Sequence, residues 1–318
     1  MKLLKIILDL FRGGRSPAKL AAWLDVPEAE LCEWQSGVPA SRADSYSYSE
    51  FTIPKRRGGE RRIEAPSDAL KALQRRILQR LLNPLKFHPA ATGFVPGRSI
   101  VDHARPHVGQ GAVINIDLAD FFPSIQVGRV REAFRVLGWN RAAADILANL
   151  CTHNGHLPQG APTSPALSNL VCRRMDARFD ALARKCGGHY TRYADDLTFS
   201  FPGFGSNRRR KPKPKGQPLR RRPRNPSRGL LRTIRQIVEG EGFTIQRKKK
   251  VRVQRPHQRQ TAAGLLVNRA VNLPRRVRRG IRAMQHRARL GQLPQREREQ
   301  LRGWESLAAM VVRQRGRF

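Results

Sequence analysis

Acidic residues are scarce in this chain. Only 24 aspartates and glutamates stand against 62 lysines and arginines, which gives a formal net charge of +38 and a pI near 11.7. A field of that sign attracts polyanions, nucleic acid first and an anionic membrane surface second. Long apolar runs are missing as well: none reaches the ~20 residues of a spanning helix. The opening stretch MKLLKIILDLF is interrupted by Lys5 and Asp9, so it reads as an amphipathic helix and not as a signal sequence. No membrane association is expected, and a cytoplasmic setting is. The four cysteines, Cys32, Cys151, Cys172 and Cys186, show no paired C-x-x-C spacing, which excludes a zinc knuckle. They read as buried, reduced thiols.

What remains is globular in composition, 39% hydrophobic and 27% charged, and 318 residues suit one large domain or two to three smaller ones. Residues 1–45 read as a helical appendage, with Leu20, Trp23, Leu24, Leu31 and Trp34 at helical spacing. Residues 51–66, FTIPKRRGGERRIEAP, read as two strands joined by a basic Gly-Gly turn. An amphipathic helix is expected over 69–85, a buried strand over 112–118, and helical stretches near 127–152 and 164–187. Residues 207–228 are of another kind: eleven are Lys or Arg, none is acidic, and repeated prolines forbid regular structure, so a disordered basic insertion is expected there. Removing those eleven charges from +38 leaves +27, so the rest of the chain is itself basic. A helix is expected over 229–243, then a basic strand, a short turn at TAAGLLVN and an Arg-rich helical tail over 269–318.

Against this basic background, two adjacent acids interrupt HYTRYADDLTFS, residues 189–200. Leu197, Phe199 and Phe201 alternate with Thr198 and Ser200, the period of a half-buried strand, and Tyr190–Tyr193 reads as its partner. Asp195 and Asp196 therefore fall near a hairpin tip. Two carboxylates aimed at one point repel unless a cation joins them, although Asp is also common in ordinary turns. A third acid, Asp117, closes the buried strand in NIDLADFFPSI, with Asp120 a rival just beyond the strand end. One acid at a strand end beside two at a hairpin tip suits two Mg²⁺ ions ~3.5–4 Å apart, one activating a hydroxyl and one holding a leaving pyrophosphate.

YADD after an aromatic strand, D-x-x-x-F-F-P-S-I and LPQGAPTSPALSNL (157–170), in this order and spacing, resemble the reverse transcriptase signature, nearest the bacterial retron and group II intron branch. The resemblance runs from about Tyr48 to Asn268. It implies an α/β (α+β) fold, a right-hand polymerase with fingers, palm and thumb, whose palm is an antiparallel sheet backed by helices. Residues 46–268 would form fingers and palm, and 269–318 the thumb. It further implies that Asp117, Asp195 and Asp196 bind the metals, with the carbonyl of Leu118 as an added ligand. Phe122 would exclude a 2′-hydroxyl, or simply pack in the core. Gln159 would lie along the incoming nucleotide. Lys55 and Arg61 would grip the triphosphate, and Lys249 would give a proton to pyrophosphate, although each could equally be a solvated charge.

Two degenerate motifs point to the retron side. DHARPH places His103, Ala104 and His107 where N-A-x-x-H would stand, and Ala262-Ala263-Gly264 replaces V-T-G. His107 would then contact nucleic acid. At 318 residues the chain is also short for the maturase and endonuclease domains of intron enzymes. A retron enzyme implies a cognate structured non-coding RNA and its cDNA, deoxynucleoside triphosphates, priming from a 2′-hydroxyl, a branched msDNA-like product, a possible companion effector and a part in antiphage defence. In the tail, Val277, Ile281 and Met284 recur at helical spacing while Arg275, Arg276, Arg278, Arg279 and Arg282 cover the remainder, as in a packed helix offering cations to a nucleic-acid backbone. The competing reading is an RNA-binding protein on a decayed polymerase fold. The intact carboxylates argue against decay, because unpaired buried charge destabilises a core.

Overall fold

The computed structural model describes residues 15–35, 46–55, 58–202, 226–246 and 251–315. In chain order the elements are α1 (Pro17–Leu24), α2 (Glu28–Cys32), β1 (Tyr48–Pro54), β2 (Glu60–Pro66), α3 (Asp68–Ile77), α4 (Ile100–Ala104), β3 (Ala112–Asp117), α5 (Val127–Val136) and α6 (Arg141–Cys151). They continue as α7 (Ser164–Val171), α8 (Arg173–Lys185), β4 (His189–Tyr193), β5 (Asp196–Phe201), α9 (Pro226–Gly240), β6 (Arg252–Gln254), β7 (Thr261–Ala262), β8 (Leu265–Leu266), α10 (Arg275–Arg289) and α11 (Gln295–Arg315). This is a mixed helix and sheet protein with antiparallel sheets. Its described residues fall into two compact units.

The first unit comprises residues 1–88, 94–96 and 119–174. Strands β1 and β2 pair antiparallel from Tyr48↔Pro66 to Pro54↔Glu60, the hairpin expected from the Gly-Gly turn. Its positive-φ residues Gly58 and Gly59 make that turn cheap. α3 buries Leu70, Leu73 and Ile77, then widens into a π-helical turn, Leu78–Leu82. The helical stretch expected near 127–152 divides into α5 and α6, separated at Gly138, which has φ +90°. Leu20, Leu24, Leu31 and Trp34 are buried as their spacing predicts. Trp23 is not: it lies edge-on to Trp139 with the Arg15 guanidinium over both rings, so a cation–π contact replaces core packing there.

The second unit comprises residues 89–93, 97–118 and 175–318. Its four-stranded sheet has the order β4-β5-β3-β6. One face is apolar: Ile114, Ile116, Leu197, Phe199, Phe201 and Tyr190 are buried, and Phe179 of α8 meets Tyr190 and Phe199 ring to ring. Arg192 also lies on this face, fully buried, with its guanidinium bidentate on Asp176 at 2.7 and 2.8 Å. A second core gathers β7, β8, α10 and α11 around Ile281, Leu301 and Val311, with Val277 and Met284 packed against it. The tail therefore packs through the residues its spacing singles out, while Arg275, Arg276, Arg278, Arg279 and Arg282 stay exposed.

Three expectations need correction. β5 is buried on both faces, not half-buried, because Thr198 and Ser200 are covered as fully as Leu197 and Phe199. Cys32 and Cys186 are exposed free thiols, and only Cys151 and Cys172 are buried. Helix α9 begins at Pro226, inside the stretch expected to be irregular; most of that insertion lies outside the described residues. No helix among the described residues is long and apolar enough to cross a membrane.

Candidate active site

Strand pairing brings the acids together. Asp117, the last residue of β3, stands directly opposite Asp196, the first residue of β5. Directly opposed residues of an antiparallel pair share one face of the sheet, with Cβ atoms ~4.5–5.5 Å apart. Asp195 precedes Asp196 in the hairpin turn, where Ala194 takes a left-handed φ of +57° and breaks the strand period. The turn is fastened to β3 because the Leu118 N–H donates to the Asp195 carbonyl at 3.1 Å. The far side is fastened too, by the Gln246 N–H donating to the Asp117 carbonyl at 2.8 Å. Two carboxylates directly opposed on one face repel each other, so a cation between them would relieve the pair. The donor set is oxygen throughout, the kind a hard divalent ion takes. Asp120 lies past the strand end, exposed, with φ +43°.

The same sheet face is polar below the acids. Asn115, Thr198 and Thr191 form the next row, and Ser200 lies one row further down. Two fully buried histidines, one from α4 and one from the 3₁₀ turn that follows it, cover these groups. His103 places Nδ1 3.0 Å from Thr191 Oγ1 and Nε2 3.0 Å from Thr198 Oγ1. His107 places Nδ1 2.7 Å from Ser200 Oγ and Nε2 2.7 Å from Thr191 Oγ1. Burial holds both rings neutral, pushing His103 down to about 3 and His107 well below its ordinary value. This differs from the expectation for His107. Its ring is closed off from solvent and both nitrogens face hydroxyls, so in this structure it braces β4 and β5 and presents nothing to a nucleic acid.

In the first unit, Phe122 is half-buried and meets two rings, Phe121 at 5.4 Å and Phe94 at 6.2 Å. Gln159 is held through its backbone: the Glu64 N–H donates to the Gln159 carbonyl at 3.1 Å, and the Gln159 N–H donates to Glu64 Oε2 at 3.3 Å. A Cβ on Gly160 would lie 2.5 Å from the Glu64 carbonyl, so glycine is what lets this loop press on β2. His156 adds Nε2 at 3.2 Å from both oxygens of the buried Glu64 carboxylate. Glu50, Glu64 and His153 bring ligand atoms within 4.8 Å of one another; Arg62 pairs with Glu50, and His156 faces Glu64. Sequence reading missed this cluster. Its one signal was the placement of Glu50 and Glu64 at matching positions of the two hairpin strands. Lys55 and Arg61 are exposed near the hairpin end, and Lys249 lies outside the described residues.

Residues 53–261 match the family described as reverse transcriptase (RNA-dependent DNA polymerase). The chain belongs to the reverse transcriptase family. Within that family it is similar to retron enzymes. It is 39% identical to the retron Mx162 reverse transcriptase of Myxococcus xanthus over 288 residues, covering 83% of this chain and 57% of that protein. It is 39% identical to the retron Mx65 reverse transcriptase of the same organism over 290 residues, with coverage of 86% and 62%. Identity to the retron Ec86 reverse transcriptase of Escherichia coli is 35% over 270 residues, with coverage of 84% and 77%. The chain thus spans about three fifths of the two Myxococcus relatives. Retron-type reverse transcriptase is the kind of protein these comparisons support.

Proposed function

We propose that the chain is an RNA-directed DNA polymerase of retron type, copying a cognate structured RNA into an msDNA-like product from deoxynucleoside triphosphates, in the service of antiphage defence. The observation that carries this reading is the register of Asp117 against Asp196, with Asp195 in the turn tied to Leu118. Residues 46–268 serve as fingers and palm in this reading, and 269–318 as thumb.

Asp117, Asp195 and Asp196, joined by the Leu118 carbonyl, would hold two Mg²⁺ ions. Those ions supply a lowered pKa for the attacking hydroxyl and charge neutralisation for the leaving pyrophosphate. The chain's own residues do the rest. β3 and β5 fix the carboxylates on one sheet face, so little reorganisation is needed when charge develops. Lys55 and Arg61 would bind the triphosphate by charge-assisted hydrogen bonds. Gln159, with its backbone clamped to β2, would lie along the nucleotide, and Phe122 would close the space beside C2′. Lys249 would hold a proton for the pyrophosphate. The exposed arginines of α10 would hold the primer–template backbone.

The test is Asp195→Asn. The variant keeps its size but loses a charge, and DNA synthesis on a primed RNA template should fall by at least ~10²–10³-fold. Affinity for RNA, set mainly by the basic surface, should stay within about twofold. Extension at near wild-type rate would refute the metal assignment.

A further inference from the structure

Phe94 occupies a position that backbone preference does not explain. Its φ is +60°, a left-handed conformation that bulky L-residues avoid. The residue is 41% exposed, so burial offsets little of that strain. The conformation is imposed from the preceding residues. Ala90–Gly93 runs beside β4: the Arg192 N–H donates to the Ala90 carbonyl at 2.8 Å, and the Thr92 N–H donates to the Arg192 carbonyl at 2.8 Å. Gly93 then abuts the hairpin turn, where a Cβ would lie 2.8 Å from the Ala194 nitrogen. The chain leaves this contact directly into Phe94. A glycine or asparagine would take the φ of +60° at less cost, yet an aromatic ring stands there. Strain of this kind concentrates where it serves a site.

That ring meets Phe122, at 6.2 Å between centroids and a 38° tilt, within the range of an attractive aromatic pair. Phe121, buried, also meets Phe122, at 5.4 Å between centroids. Phe122 thus contacts one buried and one exposed ring, and it is the residue read above as the sugar gate. With Phe94 in place, Phe122 cannot swing toward solvent without giving up that contact.

We propose that Phe94 is a specificity-determining residue, which holds the Phe122 ring in its blocking position and so sharpens discrimination between deoxyribonucleoside and ribonucleoside triphosphates. This rests on the reading of Phe122 as the group that excludes the 2′-hydroxyl. Phe94 acts through Phe122 and need not touch the nucleotide.

The experiment compares Phe94→Gly, Phe94→Tyr, Phe122→Ala and the Phe94→Gly/Phe122→Ala double variant of the full chain. It measures thermal midpoints and kcat/KM for dNTP and rNTP on one primed RNA. Because glycine accepts the left-handed conformation, relief of strain should offset most of the lost ring contact, and Phe94→Gly should melt close to wild type. Its dNTP kcat/KM should change less than its rNTP kcat/KM. Discrimination should fall several-fold, up to about tenfold, the scale of one aromatic pair. Phe94→Tyr, which keeps the ring, should retain discrimination. Phe122→Ala should lose more, and adding Phe94→Gly to it should cost nothing further, since the two act as one unit. Unchanged discrimination in Phe94→Gly beside a collapsed gate in Phe122→Ala would overturn the proposal and leave the gate reading intact. An equal loss for dNTP and rNTP, or weaker RNA binding, would also overturn it by assigning Phe94 to template stacking. Unchanged discrimination in Phe122→Ala would remove the gate reading itself, and the proposal with it.

Discussion

Arg192 shows what a single residue can reveal and conceal. In the sequence it is one of 62 basic residues and sits inside HYTRYADD as if it might serve the acids beside it. In the fold it points to the opposite face and is fully buried on Asp176, which also accepts from the Tyr190 hydroxyl at 2.8 Å. Removing one partner of such a pair strands the other. Asp176→Ala should therefore lower unfolding free energy by about 3–5 kcal/mol, measured by denaturant titration. Replacing Asp176 and Arg192 together with leucine and methionine should cost much less than that single change, and equal losses would argue that the pair itself is net stabilising. The thiols provide a second check. Cys32 and Cys186 should react with an aromatic disulfide reagent in the native protein, whereas Cys151 and Cys172 should react only after unfolding. Burial pushes the Cys151 thiol up to about 12, so raising the pH of the native protein to 9 should not expose its reactivity.

At the scale of elements, the acidic hairpin was legible because its signals are local. An aromatic strand, a turn and a period of two are all written within twelve residues, and Asp117 closes a run that is plainly a buried strand. The bracing of that hairpin was not legible. Thr198 and Ser200 look solvent-facing by alternation, and only the arrival of His103 and His107 over the same face, from a segment nearly a hundred residues away, makes them buried. The clamp on Gln159 was hidden for the same reason: Glu64 lies 95 residues away in the chain. The histidines carry a pH signature. Their folded pKa values lie below the unfolded value, so the unfolded chain binds more protons and their neutral burial favours the fold above about pH 6.5. That contribution is lost as pH falls from 6.5 toward the folded value of about 3 for His103, at up to about 1.4 kcal/mol per histidine per pH unit. Unfolding free energies at pH 7.0 and 5.5 should differ accordingly. In His107→Gln, which cannot titrate, the histidine part of that difference should halve. An unchanged pH dependence would show that His107 is protonated in the folded state.

At the scale of the molecule, the basic charge divides between two regions with different physical characters. Residues 207–225 lie outside the described residues; their sequence holds ten cations and no apolar period, and the expectation is a polyelectrolyte that raises affinity without fixing geometry. The tail cations differ, because α10 is anchored by Ile281 in a shared core with α11. Ser99 and Arg105, at the two ends of α4, reach Gln314 of α11 at 2.6 and 3.1 Å. Arg275, Arg278 and Arg282 are thus exposed on a seated helix. Deleting residues 207–225 should lower affinity for every RNA and flatten the dependence of log affinity on log salt, while polymerisation at low salt persists. Neutralising Arg275, Arg278 and Arg282 together should instead shorten the products, because the primer–template duplex escapes between additions. Product length and salt slope, measured for both variants on one template, separate the two. A deletion variant that is inactive at low salt, beside a tail variant that still makes full-length products, would show that the working contact lies in the insertion and not in the helix.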